Sequence, residues 1–334
     1  MFQTYWFKEF LEEAIQRRAS DLHISSDWVP MVRVGGKMGR LTDAIVSRQE
    51  VEALIREEFQ VPPAPQDAPA REYDFSCSYN QVRLRVHIFY QQNGWALAIR
   101  ILPAKIPTFA ELNFPPIFNK LVTAQQGLVL VTGPTGSGKS TTLATLVQEI
   151  NRNRPVHIIT IEDPIEYVYE PSKALIQQRE VGVHTRGFAT ALRAALREDP
   201  DVILVGEMRD LETIQAALEA AETGHLVLST LHTNSAAEAI ERIVGVFPEF
   251  QQQQIRLMLA DSILAIISQR LIPAYTPAGL VAAQEILIAT PAVRNLIREQ
   301  KTYQLPTLMQ TNAAQGMQTM EQCLQRLRMQ GMIT

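Results

Sequence analysis

Apolar residues recur at two different periods along the first hundred positions. Phe7, Phe10, Leu11, Ala14 and Ile15 share one helical stripe, which predicts an amphipathic helix docked on a core. Val32 and Val34 alternate around Arg33 and run into Gly35-Gly36, the pattern of a hairpin. Just ahead of it SDLHIS, 20–25, carries Asp21 and His23, whose pairing fits a strand start better than a reaction centre. Val51, Leu54, Ile55 and Phe59 return to helical spacing. VPPAPQDAPA, 61–70, with its four prolines, then predicts a stiff exposed loop. RLRVHIFYQQNGWALAIRIL alternates on both sides of Asn93-Gly94, the preferred dipeptide of a two-residue turn. That turn sets Gln92 opposite Trp95, Tyr90 opposite Leu97, Ile88 opposite Ile99 and Val86 opposite Ile101. The other face then gathers Arg85, His87 and Arg100, with His87 opposite Arg100 and Arg83 two residues along. Like charges on one sheet face repel unless acids or an anion cover them, so both a salt-bridged face and a phosphate-facing one remain open.

LPAKIPTFAELNFPP, with four prolines from Leu102 to Pro116, divides a first domain, 1–101, from a second, 117–334, through a linker at 102–116. Phe118, Leu121 and Val122 lead into a strand, GLVLVT. Thereafter strands and helices alternate, which predicts an α/β domain with a parallel sheet covered on both faces. VHIITIE, DVILVGE and HLVLSTLHT read as strands, FATALRAALRED and LETIQAALEAAETG as helices. FPEFQQQQIRLMLADSILAIISQRLI reads as one long helix turning Ile255, Leu259, Ile263, Leu264 and Ile267 to a core. LVAAQEILIA reads as a strand, and PAVRNLIRE and TMEQCLQRLRMQGM as helices. Met317, Met320, Met329 and Met332 fit packing better than a partner groove.

The candidate chemistry centres on GPTGSGKS, Gly133 to Ser140, between an apolar strand and a helix whose Leu143, Leu146, Val147 and Ile150 face inward. Strand, glycine-rich loop and helix in that order make the pattern a phosphate site. The chain wraps a triphosphate closely only where side chains are absent, and Gly133, Gly136 and Gly138 supply that freedom. The helix start adds its free N–H groups and dipole. Gly133, Pro134, Thr135, Gly136, Ser137, Gly138, Lys139, Ser140 and Thr141 form the predicted ATP cradle, Lys139 reaching the β- and γ-phosphates and Ser140 ligating Mg²⁺.

Ligands of such sheets bind outside the carboxyl ends of the strands. Glu162, Glu166, Glu207 and His232 belong to that edge by sequence position. Hydrolysis needs a carboxylate to orient water and acids to hold magnesium through its waters. Glu207 suits the first role, Glu162 and Glu166 the second, and His232 contact with the γ-phosphate. The candidate set also includes His225, at the start of the strand that His232 ends, and the metal set is Ser140, Glu162 and Glu207.

Composition narrows the partners. At 334 residues with 46% hydrophobic content, the chain is long enough for two domains. A net charge of −4 argues against a non-specific nucleic-acid binder. Cys77 and Cys323 are the sole cysteines, too few for a disulfide framework or a four-cysteine zinc site. The start, MFQTYWFKEFLEEAIQRR, is charged too early and too often for a signal peptide, and no run approaches the ~18 apolar residues of a spanning helix. A cytoplasmic location without a membrane span is the expectation.

GPTGSGKS, TIEDPIEY, DPDVILVGEMRD and TGHLVLSTLHT together resemble, in order and spacing, the Walker A, Asp, Walker B and His boxes of the type II/type IV secretion-superfamily ATPases. ASDLHIS and AVRNLIRE resemble markers of its type IV pilus retraction branch. The resemblance implies a RecA-like P-loop NTPase domain behind a smaller α+β, PAS-like N-terminal domain, in a homo-hexamer. It implies ATP completed by N-terminal arginines, among Arg83, Arg85 and Arg100. The activity implied is hydrolysis driving pilus retraction and twitching motility, at the inner face of the inner membrane, against a platform protein and with a second motor ATPase as a further partner. Two residues depart from pattern: Gly206 stands where many P-loop enzymes hold magnesium with aspartate, and Val293 where isoleucine is commoner. A pilus-extension or type II secretion ATPase fits less well, for want of an added N-terminal domain and a zinc loop. A non-hydrolysing scaffold and a helicase-like translocase are the alternatives from other classes, the last disfavoured by the acidic charge.

Overall fold

Phe7, Leu11 and Ala14 bury the predicted stripe of α1 (Tyr5–Gln16). Val51, Leu54 and Ile55 do the same for α2 (Arg48–Glu58), which starts at a capping box formed by Ser47 and Glu50. Both helices cover a six-stranded antiparallel sheet built of β1 (Asp21–Ser25), β2 (Met31–Val34), β3 (Lys37–Arg40), β4 (Glu72–Tyr79), β5 (Val82–Gln91) and β6 (Gly94–Ile101), in the order β3-β2-β1-β6-β5-β4. Gly35 and Gly36, with φ of +56° and +81°, turn β2 into β3 as expected. The computed structural model describes residues 2–61, 72–80, 82–102, 105–275 and 279–334. The predicted loop at 61–70 therefore lies, but for Val61, outside the described residues.

The β5–β6 hairpin corrects the expected register. Its turn is Gln92-Asn93, and Gly94 already pairs with Gln91. Ile88 faces Leu97, Val86 faces Ile99 and Tyr90 faces Trp95. His87 opposes Ala98, and it is Arg85 that opposes Arg100. The partners have slipped by two residues, and because side chains alternate with period two the apolar face is unchanged. The turn dipeptide loses to tertiary pairing: β6 is also held by β1, with Leu22 on Ile99 and Ile24 on Leu97. Gly94 fits close against Ser26, whose hydroxyl donates to the Trp95 carbonyl at 2.8 Å.

The chain divides into two compact units. The first runs to Lys105 and includes Glu166–Val168; the second comprises Ile106–Ile165 and Tyr169–Thr334. In the second, α3 (Ile117–Thr123) precedes β7 (Gly127–Thr132), and α4 (Lys139–Asn153), β8 (His157–Glu162), β9 (Leu175–Glu180), α5 (Phe188–Ala195), β10 (Val202–Val205), α6 (Leu211–Glu222) and β11 (Leu226–Leu231) follow. Then come α7 (Ala236–Gly245), α8 (Glu249–Ser262), β12 (Ile263–Pro273), β13 (Leu280–Ile288), α9 (Pro291–Arg298), α10 (Leu305–Thr311) and α11 (Met320–Met329). The seven strands lie in the order β13-β12-β7-β11-β10-β8-β9, parallel except for β13. This is the expected α/β class, with β7 inside the sheet and every one of its residues buried.

The long helix expected across Phe247–Ile272 ends at Ser262. Ile263, Ile266 and Ile267 are buried in a strand that adds to β7, and Leu264 is only half-buried. A mostly apolar run rich in β-branched residues satisfies either period, and pairing with β7 decides it. β4, β9, α3, α7 and α10 have no counterpart among the elements expected from the pattern.

Candidate active site

The edge where the parallel strands end is set by register. Thr132 of β7 lies beside Leu231 of β11 and Ser268 of β12, and Val205 of β10 lies beside Ile161 of β8. Gly133, His232, Glu207 and Glu162 therefore leave or end their strands at one edge, and Gln269, inside the longer β12, is level with it.

The loop from Gly133 to Gly138 is shaped by close approaches. A Cβ on Gly133, at φ +144°, would lie 2.3 Å from the Gln269 carbonyl oxygen, and one on Gly138, at φ +84°, 2.9 Å from Gln269 Nε2. Pro134, Thr135 and Gly136 are exposed at the tip. Ser137 is buried, and its hydroxyl has no hydrogen-bond partner among the described residues. Lys139, the first residue of α4, is buried and donates to the carbonyls of Gly133 at 2.8 Å and Pro134 at 3.1 Å. Its ammonium is thus folded over a glycine loop of the kind whose backbone N–H groups can receive an anion. Ser140 stands exposed and Thr141 half-buried on the same first turn.

Glu207 and His232 meet: His232 Nε2 lies 3.3 Å from Glu207 Oε1. Arg209, absent from the expected set, reaches the same oxygen at 2.6 Å. Its signal was the sequence GEMRD, two residues past the carboxylate. Arg209 is 74% exposed, so this ion pair is screened and exchangeable. Gly206 has a packing reason to be glycine: its N–H donates to the Ile161 carbonyl at 2.8 Å, and a Cβ would approach that oxygen to 3.2 Å. Glu162 ends β8, where Oε1 accepts from Thr160 Oγ1 at 2.6 Å and Gln178 Nε2 at 3.2 Å.

His225 does not join the edge. It precedes β11, whose first residue pairs with Gly127 at the start of β7, and its ring meets the Ala220 carbonyl at 3.0 Å. With β11 between them, His225 and His232 stand roughly 20 Å apart at ~3.3 Å per residue. Glu166 belongs to the first unit, with Tyr167 and Val168.

The first unit holds the three candidate arginines. Arg33, Asp21, Arg100 and Arg85 form one row across β2, β1, β6 and β5. Arg100 Nε donates to Asp21 Oδ1 at 3.1 Å, and Arg33 Nε lies 4.0 Å from Oδ2. Burial pushes the Asp21 carboxyl up, yet the Ser20 hydroxyl and Arg100 outweigh it and hold the group below its usual range. Burial likewise holds His23, next on that face, below the usual histidine range. His87 pairs with Asp74 at 3.3 Å. Arg85 is exposed with no ion-pair partner among the described residues. Arg83 lies on β5 opposite Ser78. The face is thus partly salt-bridged, and Arg85 is its uncommitted charge.

A hard-oxygen set of Ser140, Glu162 and Glu207 at one edge suits Mg²⁺, which takes few protein ligands and keeps phosphate and water oxygens. The arrangement can hold a polyphosphate and present a carboxylate beside it.

The family model described as Type II/IV secretion system protein matches residues 3–323. A twitching motility protein of Neisseria gonorrhoeae is 50% identical over 92% of this chain and 84% of its own length. The type IV pilus retraction ATPase PilT of Pseudomonas aeruginosa is 48% identical over 98% of this chain and 95% of its own. A crystal structure of the pilus retraction motor PilT with bound ADP matches with a TM-score of 0.88 at 48% identity, over 98% of this chain and 94% of that one.

Proposed function

The chain belongs to the type II/IV secretion system protein family, and from that premise we propose that it is an ATP-hydrolysing motor that powers type IV pilus retraction. The observation that carries this is the glycine loop and buried Lys139 sharing a sheet edge with the Glu207–His232 pair. The near full-length likeness to twitching and retraction ATPases supports the direction of work. The motor is a ring of six copies at the inner face of the inner membrane, acting on a platform protein. Among the described residues no helix is long and apolar enough to cross a membrane.

Residues 133–141 cradle ATP, with backbone N–H groups and Lys139 offsetting phosphate charge. Magnesium, when bound beside Ser140, neutralises charge on the phosphate oxygens. Glu207 orients the attacking water, and Glu162 serves the hydration shell of the metal. His232 holds the Glu207 carboxylate in place and lies next to the reacting phosphate. Arg83, Arg85 and Arg100 are the candidate cations for the negative charge that develops on the phosphate during hydrolysis.

Glu207→Gln keeps the shape and removes the charge. Steady-state phosphate release should fall by about a hundredfold or more, as loss of a positioned base does, with ATP binding retained. Cells carrying it should extend fibres that no longer shorten. Wild-type turnover in this variant refutes the role of Glu207. Wild-type protein that binds ATP and releases almost no phosphate is a scaffold and not a motor.

A further inference from the structure

β12 runs parallel to β7 with Ser268 beside Thr132, so Gln269 arrives where β7 gives way to the glycine loop. Gln269 is 2% exposed, and its side chain is engaged at both ends. Nε2 donates to the Ser137 carbonyl at 2.6 Å, and Oε1 accepts from Thr142 Oγ1 at 2.8 Å and from Gln284 Nε2 at 3.1 Å. A carbonyl can only accept, so the amide has one possible orientation. The partner is itself held. Gln318 Nε2 donates to the Gln284 carbonyl at 2.8 Å, and Arg326 of α11 donates to Gln318 Oε1 at 2.6 Å. Gln269 thus touches the loop at both ends, its carbonyl against Gly133 and its amide against Gly138.

We propose that Gln269 is a positioning residue for the phosphate loop, an inference that rests on reading this loop as the ATP site. In a trans peptide the C=O of one residue and the N–H of the next point opposite ways. Drawing the Ser137 carbonyl toward Gln269 turns the Gly138 N–H the other way, into the concavity. The bond from Thr142 ties the first turn of α4 to the same amide. A loop already set in its binding shape avoids the cost of ordering when an anion arrives. Without Gln269 the Ser137 carbonyl is free to turn toward the phosphates, where its negative end opposes them.

The test uses the full-length protein. Gln269→Leu keeps similar bulk and removes both donor and acceptor. Gln269→Glu puts a carboxylate oxygen against the Ser137 carbonyl. ATPase rates and calorimetric titration with ADP are read together with the melting temperature. Both variants should raise KM for ATP and weaken ADP by roughly tenfold, about 1.4 kcal/mol, with kcat within about threefold of wild type. Thr142→Val should move KM the same way by about threefold, and the double variant Gln269→Leu/Thr142→Val should do no more than Gln269→Leu alone. A merely structural role lowers the melting temperature and leaves KM and ADP affinity within twofold, and that result overturns the proposal. Where Gln269→Leu does not fold, an unchanged KM in Thr142→Val overturns it equally. Lys139→Ala separates the two levels: if it loses ATP while Gln269→Leu binds normally, the inference alone fails. If Lys139→Ala binds as wild type does, the site has been misread.

Discussion

At Gly133 the chain leaves β7 with φ +144°, and a methyl group there would press to 2.3 Å on a backbone oxygen of the neighbouring strand. Neither atom belongs to a flexible side chain, so relief requires moving β7 against β12. Gly133→Ala should therefore cost about 2–4 kcal/mol of stability, read by chemical denaturation, and should abolish ATP binding in whatever remains folded. Glu207, two strands away along the same edge, illustrates what one chain can and cannot announce. Glu207 and His232 were legible because each follows an apolar strand, and strand ends share an edge in a parallel sheet. Arg209 was missed although it stands two residues past Glu207 in GEMRD, since an arginine at that spacing is as readily a solvated surface charge as a partner of the carboxylate. His225 was misassigned because the strand length that separates it from His232 also carries it to the wrong end of the sheet.

Over the apolar core of the second unit, one polar clasp ties helix to helix. Arg256 of α8, its side chain 7% exposed, makes paired bonds to Glu241 of α7 at 3.1 and 3.0 Å, and Thr302 donates to the same carboxylate at 2.8 Å. Arg256 is the main reason the Glu241 carboxyl sits below its usual range, with burial opposing and Thr302 assisting. A depressed acid contributes stability that is complete above the ordinary glutamate range near 4.3 and is lost as pH falls through the lower folded value. Glu241→Gln should therefore cost about 1 kcal/mol at pH 7, less than a fully buried pair because the carboxylate is half exposed. The gap to wild type in denaturant midpoint should close as pH falls below about 4. At this scale most helices and strands were legible from period alone. The helix–strand boundary at Ser262 was not, because ILAIISQRLI suits both periods and its choice depends on β7, far away in sequence. That error also hid Gln269, since a residue placed on a helix has no reason to meet the loop. The hairpin turn failed for the same kind of reason: β1 on one side of β6 outweighs the preference of two turn residues on the other.

For the molecule as a whole, ligand binding and folding are linked. ATP at a hundred times its dissociation constant should raise the stability of the unit that binds it by about 2.7 kcal/mol, seen as a thermal shift that Lys139→Ala lacks. An unshifted wild type would contradict the site. The other unit carries its charge differently, in the row Arg33–Asp21–Arg100–Arg85 with one acid among three bases. Asp21 is largely sheltered and would be costly to strand. Yet Arg33 waits 4.0 Å from its second oxygen while Arg100 holds the first. Whatever turns Arg100 away therefore leaves Asp21 facing a more distant cation, and the carboxylate acts as a tether on that arginine.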